Sequence, residues 1–361
     1  MNYSGPTNPD TNTASERIAM LRPLLIFLVM TTHIQGNLYR PDLKDLTLNA
    51  ANFLHAALSG VIAVSALPLL SIISGYLALA TLRKYNYRHI VRNKAIRLLL
   101  PMLFWNLLLG LYIYHQQASG HPIRPDLQLH PASIDWLLGL LALFKLPMNP
   151  PLYFLRELML CFVLLPLLAA AARRWYTAIP LLMLLAWMAA NRVHLYFFLR
   201  IDIYGFFLLG LCLAWHQQAL GPLARWLARP LNQWLCYSGF ILCVTLLTLY
   251  AFLPSHKHFF LAMKVSTLLS PLVFWLLSAH LRGWLKQLLL WLSPASFTLF
   301  LAHVPLQTLT YNLWTGLSNH NPLQQGYLYY WLFTLTTSCL AAVLLTRAWH
   351  RLRKGTPHAR H

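Results

Sequence analysis

A chain of 361 residues with 58% apolar residues, only 10% charged residues and a mean hydropathy of +0.52 has lipid as its main solvent. Its net charge of +20 would suggest nucleic acid in a soluble protein, but the bases gather in short stretches between apolar runs. That pattern reports membrane topology and excludes nucleic acid as a partner. Cys161, Cys212, Cys236, Cys243 and Cys339 each sit inside an apolar run, form no CxxC pair and imply neither a disulfide framework nor a metal site.

Residues 1–16 are polar and lack the basic start and cleavage site of a secretory signal, so the first apolar helix is expected to stay as a signal anchor. At about twenty apolar residues per crossing, ten spans are predicted near 18–38, 58–82, 98–115, 151–172, 176–191, 196–215, 233–253, 260–280, 290–314 and 327–346. The fold class is thus all-α, a polytopic membrane helical bundle. The fifth span is short, and roughly eight to eleven crossings fit the lengths. Between the third and fourth spans lies a polar loop rich in Pro and His (116–133), and then Ile134 to Leu146, too short to span and suited to the interface or a re-entrant turn. The integral-membrane domain runs over 17–347, and 348–361 form a basic tail.

The stretch Arg83 to Arg97, the pair Arg173-Arg174, Arg225 with Arg229, Arg282 with Lys286, and the tail from Arg347 fall on one side of a ten-span bundle. The positive-inside rule makes that side cytoplasmic, together with both termini. The opposite loops carry Asp42, Asp45 and Asp126. No 20- to 50-residue repeat and no inverted pair of broken helices is present, which weakens a transporter reading.

Ionisable groups inside apolar spans are costly, about 2.5–3.5 kcal/mol each at a helix centre, and so mark candidate sites. Arg22 and His33 are such a pair. Eleven residues at 100° each come to about 20° past three turns, so the two side chains share a helix face about 16 Å apart along the axis. Arg keeps its proton and binds anions, whereas neutral imidazole can take a proton from a hydroxyl. The alternative is that Arg22 snorkels to headgroups and His33 hydrogen-bonds a neighbouring helix. Lys94 and Arg97 share a face at the lead-in to the third span, a cradle for polyphosphate or ordinary positive-inside residues. Arg156 and Glu157 put opposite charges early in the fourth span; sequence neighbours point about 100° apart, so each is expected to find its partner on another helix. Arg200 and Asp202 read as an internal tie. Ser74-Gly75 interrupts the second span with small residues, for close packing or an exposed amide. His303 lies within the ninth span, either positioning substrate or serving as a satisfied bundle histidine. No histidine shows HExxH or similar ligand spacing, so no metal is implied.

Taken together, Arg22 with His33, Ile73-Ser74-Gly75-Tyr76, Lys94-x-x-Arg97 with nearby Pro101, Leu152 to Glu157, and Ser296-Phe297 through His303 resemble the acyltransferase-3 family of integral-membrane O-acyltransferases, in order along nearly the whole chain. The resemblance implies a bacterial cytoplasmic-membrane enzyme. Its donor would be cytoplasmic acyl-CoA, most simply acetyl-CoA, used as a substrate with no permanently bound cofactor. Its acceptor would be a hydroxyl of a surface polysaccharide or its lipid-linked precursor. Membrane lipids, the glycan and other polysaccharide biosynthesis proteins are the implied partners. By the same resemblance His33 is catalytic, and Arg22, Lys94, Arg97 and Arg156 hold the donor. Ser74 and the Gly75 amide are candidate oxyanion donors, with Glu157 and His303 as further candidates. Many members have an acid three residues before the Arg22 position; here it is Ala19, and Glu16, one turn away, is the substitute to examine. A proton-coupled transporter and a non-catalytic scaffold are the rival readings.

Overall fold

The computed structural model describes residues 9–34, 50–120, 129–130, 132–193, 195–252, 259–318 and 326–355. Residues 35–38 of the predicted first span, the acids Asp42, Asp45 and Asp126, and the tail beyond 355 lie outside them. The described residues are helical, with no strand among them. In chain order they form α1 (Pro9–Thr31), α2 (Ala50–His55), α3 (Ala66–Lys84), α4 (Tyr87–Ala118), α5 (Asp135–Leu141), α6 (Tyr153–Val163), α7 (Leu165–Ala172) and α8 (Trp175–Ala190). There follow α9 (Ile201–Trp215), α10 (Gly221–Leu227), α11 (Pro230–Ala251), α12 (Phe259–Ser278), α13 (Gly283–Leu292), α14 (Ser296–Ser318) and α15 (Tyr327–Gly355).

Among the described residues, five stretches are long and apolar enough to cross a membrane: Asn52–Lys84, Tyr87–Ala118, Pro230–Tyr250, Gly283–Ser318 and Leu328–Arg351. The α6–α7 pair, bent by 68° where Pro166 cannot donate to the preceding turn, makes a sixth if taken as one span. The chain is thus a multi-pass membrane protein. Helix covers most of the described part of each of the ten apolar segments read from sequence, but α9 begins only at Ile201, and α8 with 16 residues and α9 with 15 are shorter than the about twenty a straight crossing needs.

The axial element is α1, which touches α3, α12, α13, α14 and α15. Leu21, Leu25 and Met30 are fully buried, and Ile26 and Val29 nearly so, as expected of a helix apolar on all sides. The peripheral α4 and α11 turn Leu100, Phe104, Leu111, Trp234 and Leu246 outward, where lipid is the partner.

Three local expectations change. The basic stretch 83–97 is helix, not loop: only Tyr85-Asn86 separates α3 from α4, because the Asn86 side chain caps α4 by accepting from the Arg88 amide at 3.1 Å. Lys94 and Arg97 therefore sit two turns inside a 32-residue helix. The Ser74-Gly75 interruption is no break, since both lie within α3, and the Ser74 hydroxyl donates to Leu70 O at 2.8 Å. A Cβ at Gly75 would strike the Phe207 carbonyl of α9, and one at Gly210 would strike the Ile72 carbonyl of α3. The two helices thus meet backbone to backbone through reciprocal glycines. Third, the first helix stops at Thr31, short of 38.

Candidate active site

The stop at Thr31 creates the first half of the site. Thr31 Oγ1 donates to Phe27 O at 2.9 Å and Thr32 Oγ1 to Val29 O at 2.7 Å. Such bonds also run inside α3 at Ser74, so they accompany this helix end without setting it. His33 stands in the turn that follows, its amide on Met30 O at 2.9 Å, with the residue half-buried. Neighbouring helices lock this end: Gln307 Nε2 of α14 donates to Met30 O at 3.0 Å, and Trp331 Nε1 of α15 to Thr31 Oγ1 at 3.3 Å.

His33 lines a cavity of about 190 Å³ together with Thr32, Tyr153, Arg200 and Phe300. Arg200 comes from the turn before α9, where its guanidinium grips Asp202 through both nitrogens (2.7 and 3.1 Å) and lies 5.7 Å from the Tyr153 ring centroid. That turn is itself held. Buried Glu157 accepts from the Leu199 amide at 3.3 Å, from Tyr204 Oη at 2.6 Å and from Arg156. Arg156 stacks 4.5 Å from the Phe197 ring centroid. The Arg156–Glu157 bond corrects the expectation that these neighbours would not meet: the long Arg156 side chain reaches across, while Glu157 also finds partners near and on α9. The facing wall, the turn Pro150–Leu152, is anchored by Asn149, whose amide donates to Asn106 Oδ1 at 3.0 Å and whose Nδ2 donates to Leu301 O at 3.1 Å.

The second half lies about midway along α1. Lys94 is half-buried with its ammonium 4.3 Å from the Phe162 ring centroid, a cation–π contact, and the charges bearing on it are those of Arg97 and Arg22. Arg22 and Arg97 are exposed. Tyr87 Oη donates to Val163 O at 2.6 Å and pins this end of α6 to α4. Two helices measure the separation. From Tyr153 in the cavity to Phe162 under Lys94, α6 climbs about 14 Å, and from Thr31 to Arg22 α1 climbs about 14 Å; His33 stands in the turn beyond Thr31, off the helix that the shared-face expectation assumed.

Three cations gathered at one end and an imidazole beside a guanidinium at the other suit an anionic donor and a proton acceptor. The family model described as the acyltransferase domain, acyltransferase-3, matches residues 16–347. The chain belongs to the acyltransferase-3 family. This acyltransferase is 30% identical over 354 residues to the "Succinoglycan biosynthesis protein ExoH" of Rhizobium meliloti (strain 1021), an alignment covering 95% of this chain and 90% of that protein. No solved structure matches it. Family membership makes the chain an O-acyltransferase.

Of the residues singled out in the acyltransferase sequence, the structure brings Arg22, Lys94 and Arg97 together and sets His33 apart from them in the cavity. Arg156 does not join the cations; it is buried with Glu157 at the cavity end. Gly75 is used in the α3–α9 contact and the Ser74 hydroxyl on Leu70 O, and neither residue lines the His33 cavity. Glu16 is not Arg22's partner, because its carboxylate meets Lys286 of α13 at 2.8 Å. His303, fully buried on α14, lies with its ring centroid 5.5 Å from that of His33. Sequence reasoning missed Arg200 and Tyr153 as cavity residues; an Arg among apolar residues was the available signal. It also missed Arg17, which donates to Ser278 Oγ at 2.8 Å and stacks 4.0 Å from the Trp275 ring centroid, tying α1 to α12. Among the described residues no three His, Cys, Asp or Glu side chains are grouped to hold a metal.

Proposed function

We propose that this acyltransferase moves an acyl group, most simply acetyl, from cytoplasmic acyl-CoA to a hydroxyl of a cell-surface polysaccharide or its lipid-linked precursor. The observation that carries this is the layout along α1, with Arg22, and Lys94 and Arg97 near it, about 14 Å of helix from the Thr31 end beside which the His33 cavity lies. Lys94, Arg97 and Arg22 hold the donor phosphates, for which clustered Lys and Arg are suited. The acyl-bearing arm runs along α1 until its thioester reaches the cavity. There His33 takes the proton of the acceptor hydroxyl as the O–C bond forms. The oxyanion at the thioester carbon is met by the Arg200 guanidinium and the Tyr153 hydroxyl. As it collapses, the C–S bond breaks and the proton passes to the departing thiolate, so no acyl-enzyme is needed. Arg156 and Glu157 keep the Arg200 turn in place.

The printed name of the relative, a succinoglycan biosynthesis protein, supports a surface polysaccharide as acceptor and other polysaccharide biosynthesis proteins as partners. The gathering of bases between apolar segments supports a bacterial cytoplasmic membrane location, ten crossings and both termini inside. The test is purified protein in lipid nanodiscs with radiolabelled acetyl-CoA and a glycan extract. Label is expected in the glycan and lost with His33→Ala. Absence of transfer from both acetyl- and succinyl-CoA, or undiminished transfer by folded His33→Ala, overturns the reading.

A further inference from the structure

The reaction as derived uses one histidine, yet the fold buries a second one beside it. His303 has no exposed surface, and its Nδ1 lies 2.7 Å from Phe300 O. A carbonyl can only accept, so Nδ1 carries the hydrogen and the neutral ring has its lone pair on Nε2. Nε2 is buried and has no hydrogen-bond partner in the structure. Leaving such an acceptor unmet is costly, and the group calls for a donor. The ring standing against it is that of His33, with centroids 5.5 Å apart and planes tilted by 48°. Two imidazoles joined by an N–H···N bond of about 3 Å, with each nitrogen ~1.1 Å from its ring centre, have centroids about 5.2 Å apart. The observed separation leaves room for such a bond once the rings turn so that the two nitrogens face each other.

We infer that His303 is a positioning residue for His33: its Nε2 lone pair accepts the N–H on one side of the His33 ring, so that the lone pair on the other side faces the acceptor hydroxyl in the cavity. This rests on His33 being the general base. The neutral donor tautomer of His303, fixed by its own helix, dictates the tautomer of His33. When the acceptor O–H breaks and its hydrogen bonds to the cavity-side nitrogen of His33, the resulting imidazolium keeps its second N–H on His303, which stabilises the cation. No net proton passes to His303, and the one taken by His33 leaves on the thiolate. The charged and titratable groups facing the pair come from several elements: Tyr153 from α6, and Arg200, bound to Asp202, from the start of α9. Asn149 and, on α14, Gln307 are uncharged, and Tyr330 of α15 stacks on Tyr311, two turns along from His303.

The experiment compares wild type, His303→Leu, which fills the apolar space without an acceptor, and His303→Gln, which keeps an acceptor oxygen. All are assayed as full-length protein in nanodiscs, with folding checked by thermal unfolding. His303→Leu is expected to lower kcat about 100-fold with donor and acceptor KM nearly unchanged. Losing the acceptor destabilises the His33 cation, so the acid limb of the kcat/KM profile moves about one unit toward lower pH. His303→Gln recovers at least about a tenth of wild-type kcat and returns the limb. A folded His303→Leu with unchanged kcat and unchanged acid limb, or a His303→Gln that recovers neither, overturns the inference. If His303→Leu does not fold, His303→Gln against wild type decides by the same two readouts. Wild type with no transfer at all removes the general-base reading and this inference with it, whereas loss confined to the His303 variants or its absence there bears on the pair alone.

Discussion

Around His33, the hydroxyls of Thr31 and Thr32, the Gln307 amide and the Trp331 indole each hold a defined bond at the end of α1. Eleven residues earlier Arg22 is exposed, and the charges gathered with it on Lys94 have its own sign. One end is fixed by bonds to its neighbours, and the other is open and like-charged. The difference follows from what each end must do. A reacting group loses rate if its geometry drifts by an ångström, so its supports are spent on rigidity. A docking site for a soluble anion must release its product, and cations left uncompensated by acids keep an attraction for phosphate that exchange with water can undo.

Mutations separate the two ends by the size and kind of their effects. The largest belongs to His33→Ala: kcat falls by about 10³-fold or more with donor KM little changed, measured by label transfer on folded protein. Next is Glu157→Ala, which strands the buried Arg156 guanidinium and releases Leu199 and Tyr204. It is expected to cost about 3 kcal/mol of stability, read as a lower Tm, with a loss of activity as the Arg200 turn loosens. Arg97→Ala should leave Tm and kcat alone and raise the acyl-CoA KM about tenfold at low salt, a difference that shrinks as salt screens the remaining cations. A kcat loss without a KM change there would reverse the assignment of the two ends. The smallest is Lys286→Ala, since its pair with Glu16 is more than a third exposed on both sides; within about 0.5 kcal/mol no change in unfolding is expected.

Much of this layout could be read from the residues alone, because it depends on local chemistry. Apolar runs of span length marked the helices, and the eleven-residue spacing separated Arg22 from His33 along the chain, although α1 stops at Thr31 and leaves His33 off the helix they were expected to share. What escaped depends on approach in space. Arg200 joins the cavity only because α6 and α9 meet at Glu157, a contact between residues 42 apart to Leu199 and 47 apart to Tyr204. The end of α1 at Thr31 has no Gly or Pro in the four residues that follow to announce it. The start of α4 was hidden because a run of Lys and Arg reads as loop by charge, although both are good helix formers once Asn86 caps them.

The glycine contact between α3 and α9 bears on how a bulky acceptor could arrive. With Phe207 O against Gly75 and Ile72 O against Gly210, no side chain lies between the helices to yield, so that seam behaves as a weld. Two turns along the same pair of elements, Leu67 and Arg200 line the cavity. Leu146 lines it from the segment after α5, in which Ala142 and Phe144 hold left-handed backbone at φ 54° and 58°, each storing about 1–2 kcal/mol. Substitutions that relax Ala142 or Phe144 are therefore expected to alter acceptor KM before they alter kcat.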